Sequence, residues 1–131
     1  KKRNETVVLI GGPEDFATGK IIESNCENVI NTCGKYNINE SAFIVNNSDL
    51  LITHDTGMMH IAAALGTKIF SIFGGTHPNL GFTPYKPNSE NRIIQIENLD
   101  CRPCHRYGKS KCPKGHFKCM QEIDENNFLS E

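Results

Sequence analysis

The sequence predicts an α/β fold, a parallel sheet with helices on both faces, followed by a cysteine-rich appendage. Three observations carry it. Short β-branched runs alternate with segments of helical spacing. Those runs carry apolar residues on both faces, as in strands covered on both sides. Three of them end in turns rich in Gly, hydroxyls or acids, as the ligand-bearing edge of such a sheet does.

The elements follow in order. Residues 6–10 (TVVLI) form the first strand, stopped by Gly11, Gly12 and Pro13. A helix is expected from Glu14 to about Ser24, with Phe16, Ala17, Ile21 and Ile22 at helical spacing and two acids where the helix dipole favours them. Gly19 argues against that helix. Residues 28–32 (NVINT) read as a second strand, closed by Gly34. Residues 38–47 read as a helix with Asn39 as its cap, and 50–53 as a third strand. Gly57–Leu65 is a helix with Gly66 at its left-handed terminus. Residues 68–73 (KIFSIF) give a fourth strand, 74–91 a loop and 92–96 (RIIQI) a fifth strand.

The length of 131 residues fits one core-forming domain. A net charge of −1 gives no global argument for nucleic acid or an anionic membrane. No run of about 18 apolar residues exists to span a bilayer. The opening KKRNETVVLIGG lacks an initiator Met and enters a strand directly, without the cleavage pattern of a signal peptide. A piece of a longer protein is therefore expected. Cys26 and Cys33 stand singly while Cys101, Cys104, Cys112 and Cys119 crowd together, which suits a reduced compartment better than a disulfide framework.

The turns at residues 11–15, 54–57 and 74–78 hold the chemistry. Where Thr56 and Gly57 open a helix, unpaired N–H groups and the positive end of the dipole suit a diphosphate. Gly57 lets a ligand approach the backbone, Thr56 can donate its hydroxyl, and Asp55 can accept from sugar hydroxyls. His60 faces the same anion or packs beneath the turn. Against this stands a plain structural reading, in which Asp55 or Thr56 only caps the helix. The similar turn Gly74-Gly75-Thr76, one strand later, favours the ligand.

The stretch HDTGMMHIAAALGTKIFSIFGGTHP, with the turn Gly11-Gly12-Pro13-Glu14 and the pair Pro84-Tyr85, resembles glycosyltransferase family 9, the heptosyltransferases. The likeness runs from about Val8 to Ile123. It departs at Gly75, where the family usually carries Pro. It extends into the tail through Cys101-Arg102-Pro103-Cys104, Cys112-Pro113, Gly115-His116 and Cys119-Met120. The resemblance implies the carboxyl-terminal, Rossmann-like domain of a two-domain GT-B enzyme. This domain binds a nucleoside-diphosphate sugar, ADP-heptose, for transfer to the inner core of lipopolysaccharide. It implies Asp55, Thr56, Gly57, His60 and Thr76 at the donor diphosphate and sugar. Gly12, Glu14 and Gly34 fall at the nucleoside, with Asp15 as the alternative to Glu14. The family's general base and a phosphate-binding lysine match no residue here, so no catalytic residue is assigned and residues 1–131 alone are expected to be inactive. The resemblance further implies a metal-independent reaction and a cytoplasmic enzyme, at the inner face of the bacterial inner membrane.

The domain reading is 1–100 for the nucleotide-sugar-binding part and 101–131 for a Cys-rich basic tail packing on it. Residues 101–120 hold six Lys or Arg and no acid. They suit an acidic lipid head group or acceptor, or form a solvated face. Cys101, Cys104, Cys112 and Cys119 are enough for a structural zinc, with His105 and His116 as substitutes; reduced thiols packed as small hydrophobes are the other reading. Three further readings compete: the same fold using another nucleotide sugar, a zinc-stabilised binding module without chemistry, and a nucleic-acid module on the basic tail, which the near-neutral total charge opposes.

Overall fold

The computed structural model describes residues 5–85 and 88–128. The chain divides into two compact units, Lys1–Ile44 and Val45–Glu131. The division falls within a helix rather than at residue 100, and the cysteine-rich segment belongs to the second unit.

In the first unit, β1 (Val7–Leu9) runs parallel to β2 (Val29–Asn31), with Val7 opposite Val29 and Leu9 opposite Asn31. A 3-10 turn, Pro13–Asp15, delays the helix so that α1 spans Phe16–Asn25. Proline sets this start: its ring suits the first turn, and Asp15 closes it by donating its N–H to the Gly12 carbonyl at 3.1 Å. The anchor between α1 and β2 is Asn31, which is 1% exposed. Its amide donates to the Phe16 carbonyl at 3.1 Å and accepts from the Cys33 N–H at 3.1 Å. A Cβ on Gly19 would collide with that amide. The glycine that argues against a helix on propensity is therefore what lets the helix reach the strand.

The next helix, α2 (Ile38–Asn46), crosses the boundary between the units. Its cap is Asn37, not Asn39. The Asn37 carboxamide oxygen accepts from the N–H groups of Asn39 and Glu40, and the Glu40 carboxylate accepts in return from the Asn37 N–H at 2.8 Å. This reciprocal pairing satisfies donors that a cap at Asn39 would leave open.

The second unit is built on three parallel strands, β3 (Leu51–His54), β4 (Ile69–Phe73) and β5 (Arg92–Gln95), in that spatial order. The connection from β3 to β4 is α3 (Gly57–Leu65), which ends at Gly66 with φ +78° as expected. The core holds Met59 and Ala62 from α3, Ile69, Phe70 and Phe73 from β4, Ile94 from β5, and Val45. β4, the middle strand, is the most deeply covered, which is why its sequence is apolar on both faces. Two features were not read from the sequence. A 3-10 turn at Pro78–Leu80 is capped by the His77 ring, and a short helix, α4 (Lys118–Gln121), carries Cys119 into the core.

Candidate functional site

Register puts two of the expected turns at one edge of the three-stranded sheet. His54 lies opposite Ile72, and Phe73 opposite Gln95, so the chain leaves β3, β4 and β5 from the same carboxyl edge. At the first turn, Thr56 is the last extended residue before α3 (φ −139°, ψ 168°), but its side chain does not cap the helix. Its hydroxyl lies 3.1 Å from that of Thr53. Asp55 is half-buried and makes no hydrogen bond among the described residues. The N–H groups of Gly57 and Met58 likewise meet no acceptor there, while Met59 donates to the Thr56 carbonyl at 3.1 Å. The side-chain cap expected on the plain structural reading is thus absent, and the positive end of α3 is open. A Cβ on Gly57 would meet nothing within 4 Å. Thr56, Gly57 and His60 are exposed.

The second turn is organised by a residue that sequence reasoning missed. Arg102 donates from Nε to the Gly74 carbonyl at 2.5 Å and from Nη1 to the Ile96 carbonyl at 2.5 Å. Its Nη2 donates to the carbonyls of Phe73 and Thr76 and to the Gln95 side chain, each at 3.0 Å. Burial is the main influence on this guanidinium and lowers its pKa, with the nearby thiols of Cys119, Cys101 and Cys104 acting the other way. In the sequence Arg102 is one of six cations in a basic stretch; in the fold it turns inward. Thr76 is buried, at 8% exposure. A Cβ on Gly74 would lie 2.6 Å from the Met120 sulfur, and one on Gly75 would lie 2.8 Å from the Cys104 sulfur, so both glycines admit the tail.

The nucleoside candidates all lie in the first unit. Asp15 is engaged, its carboxylate accepting from the Gly12 N–H at 3.0 Å, while Glu14 is exposed. Gly34 has φ +72°, and a Cβ there would sit 2.8 Å from Pro13 Cα. Its N–H donates to the Gly11 carbonyl at 2.9 Å, which brings the loop after β2 onto the turn after β1.

Among the described residues no group of three or more His, Cys, Asp or Glu side chains is placed to hold a metal. Two of the thiols have separate partners. Cys101 Sγ lies 3.8 Å from His116 Nε2, and Cys104 Sγ donates to the Gly75 carbonyl at 3.5 Å. Cys119 is buried, and the backbone of the loop after Cys112, Phe117 above all, lowers the pKa of the Cys112 thiol. Burial is the main influence on the Cys119 thiol and raises its pKa, and the thiols of Cys104, Cys112 and Cys101, read in the sequence with Cys119 as zinc ligands, add to that rise.

Comparison with known proteins places the chain in one family. The family model for glycosyltransferase family 9 (heptosyltransferase) matches residues 1–114. The lipooligosaccharide heptosyltransferase 2 of Campylobacter jejuni is 31% identical over 113 residues, 86% of this chain and 33% of the relative. That of Haemophilus influenzae is 35% identical over 111 residues, 78% of this chain and 31% of the relative. This chain thus spans about a third of the length of the curated relatives it matches. A crystal structure of a family 9 glycosyl transferase from Veillonella parvula superposes with a TM-score of 0.73 at 23% identity, covering 95% of this chain and 34% of that one. The E. coli ADP-heptose lps heptosyltransferase II gives a TM-score of 0.60 at 22% identity, over 72% of this chain and 29% of that one. These structures share the α/β fold with parallel sheets. The chain belongs to glycosyltransferase family 9.

Proposed function

We propose that this chain is the donor-binding part of a GT-B enzyme that moves heptose from a nucleoside-diphosphate sugar, ADP-heptose, to the inner core of lipopolysaccharide. The observation that carries the reading is the open amino terminus of α3, with no side chain closing it and Gly57 leaving space before it. When the sugar–oxygen bond breaks, negative charge collects on the leaving diphosphate, and groups already aimed at that charge stabilise the transition state most. The N–H groups of Gly57 and Met58, the helix dipole and the Thr56 hydroxyl are such groups. Asp55, with no hydrogen bond among the described residues, is suited to accept from sugar hydroxyls; His60 and Thr76 complete the set. No residue of this chain is assigned as general base.

In the first unit, Glu14 is the candidate for the ribose, since Asp15 is spent on Gly12, and the backbone at Gly12 and Gly34 is the candidate for the rest of the nucleoside. The reading requires no cofactor. It carries with it a lipopolysaccharide acceptor, and a cytoplasmic enzyme working at the inner face of the inner membrane. No helix among the described residues is long and apolar enough to cross a membrane.

Calorimetric titration of the chain with ADP, UDP and GDP tests the donor reading. ADP is expected to bind most tightly. Tighter binding of UDP or GDP would change the base, and a folded chain that binds none of the three would sink the reading.

A further inference from the structure

The tail of the second unit holds the Gly74-Gly75-Thr76 turn by its carbonyls. Arg102 takes those of Gly74 and Thr76, and the Cys104 N–H takes that of Gly75 at 3.0 Å. In a trans peptide the C=O of one residue and the N–H of the next point in opposite directions. Three successive carbonyls drawn toward the Arg102–Cys104 segment therefore turn the N–H groups of Gly75, Thr76 and His77 away from it. Among the described residues those three N–H groups have no acceptor. Successive backbone N–H groups that face one way make a concave seat for an anion.

We propose that Arg102 is a positioning residue that holds residues 74–77 as a second anion seat, taking a phosphate of the donor through the N–H groups of Gly75, Thr76 and His77. The proposal rests on the donor reading above. An arginine is needed because its donors form a fixed fork that can reach five acceptors on the ends of two strands, whereas a lysine ammonium is a single point. Among the described residues no carboxylate neutralises the guanidinium, so its positive charge stands behind the turn and favours an anion in front of it. Gly75 adds a donor that proline, usual at this place in the resembled pattern, lacks.

The test follows amide resonances of the unaltered chain during titration with ADP and with adenosine, and measures both affinities by calorimetry for Arg102→Lys. ADP is expected to shift the amides of Gly75, Thr76 and His77, and adenosine to leave them in place. Arg102→Lys is expected to melt as a folded chain, to bind ADP about tenfold more weakly and to keep its affinity for adenosine. The proposal fails if ADP binds without moving those three amides. It also fails if Arg102→Lys binds ADP as the unaltered chain does, or if the two affinities fall together, as a general loosening would make them. Should the variant not fold, the amide titration of the unaltered chain decides alone. No ADP binding by the unaltered chain would remove the donor reading itself, and this proposal with it.

Discussion

Cys112 and Cys119 belong to one short stretch, yet their thiols are pulled in opposite directions. The Phe117 N–H, with those of Lys114, His116 and Gly115, stabilises the Cys112 thiolate and lowers its pKa, whereas burial raises that of Cys119 and, in the first unit, of Cys33. Iodoacetamide at about pH 7.5 should therefore label Cys112 well before Cys33 or Cys119, as read by mass spectrometry of timed digests. Equal labelling rates would contradict it. The glycines separate in the same way. Gly34→Ala forces a left-handed backbone and a clash with Pro13, and should cost about 1–3 kcal/mol in urea unfolding. Gly57→Ala adds a methyl to open space and should leave the melting temperature in place while weakening ADP binding. Unchanged ADP affinity would leave Gly57 as no more than the start of a helix.

At the scale of elements, Glu23 couples α1 to β2. Its carboxylate accepts from the Asn31 N–H at 2.8 Å and pairs with Lys20 at 2.8 Å, and these two bonds, the backbone one first, hold its pKa down. A lowered folded pKa means a contribution that is full above the ordinary glutamate value and lost as pH falls through the folded one. Urea midpoints followed from neutral pH to below about pH 4.3 should fall less steeply for Glu23→Gln than for the unaltered chain. Parallel curves would show that the bond does not couple folding to pH. Some elements were legible for local reasons: α3 announces both ends, with Gly57 after an extended Thr56 and Gly66 at its left-handed stop. Others were not. Asn37 and Asn39 are the same residue type two places apart, and it is the Asn37 carboxamide that takes the first N–H groups while Glu40 accepts from the Asn37 N–H. α4 is a single turn without periodicity, held by the burial of Cys119.

For the whole molecule, the proposed donor reading uses protein groups at the diphosphate where other transferases use a cation. With α3 and the turn after β4 in that place, ADP should bind equally well with and without EDTA. A loss of affinity on chelation would point to a metal-dependent donor site instead. The turns proposed for that site stand out in the sequence because their residue types have local meaning: a glycine for close approach, a hydroxyl or acid where a helix starts. Arg102 does not, because nothing in a run of six cations marks the one that turns inward.

The sequence by itself determined the parallel α/β class, the order of strands and helices, the two turns at the carboxyl edge of the three-stranded sheet and the family. Patterning, turn chemistry and motif spacing are properties of neighbouring residues and do not need the fold. Only the tertiary structure decided that Cys101 meets His116, that Cys104 meets the Gly75 carbonyl, and that Arg102 holds the turn after β4. Each of these depends on groups far apart in the chain. A buried donor takes whichever acceptor the packing brings within reach, since leaving it unpaired costs more than the bond is worth in water.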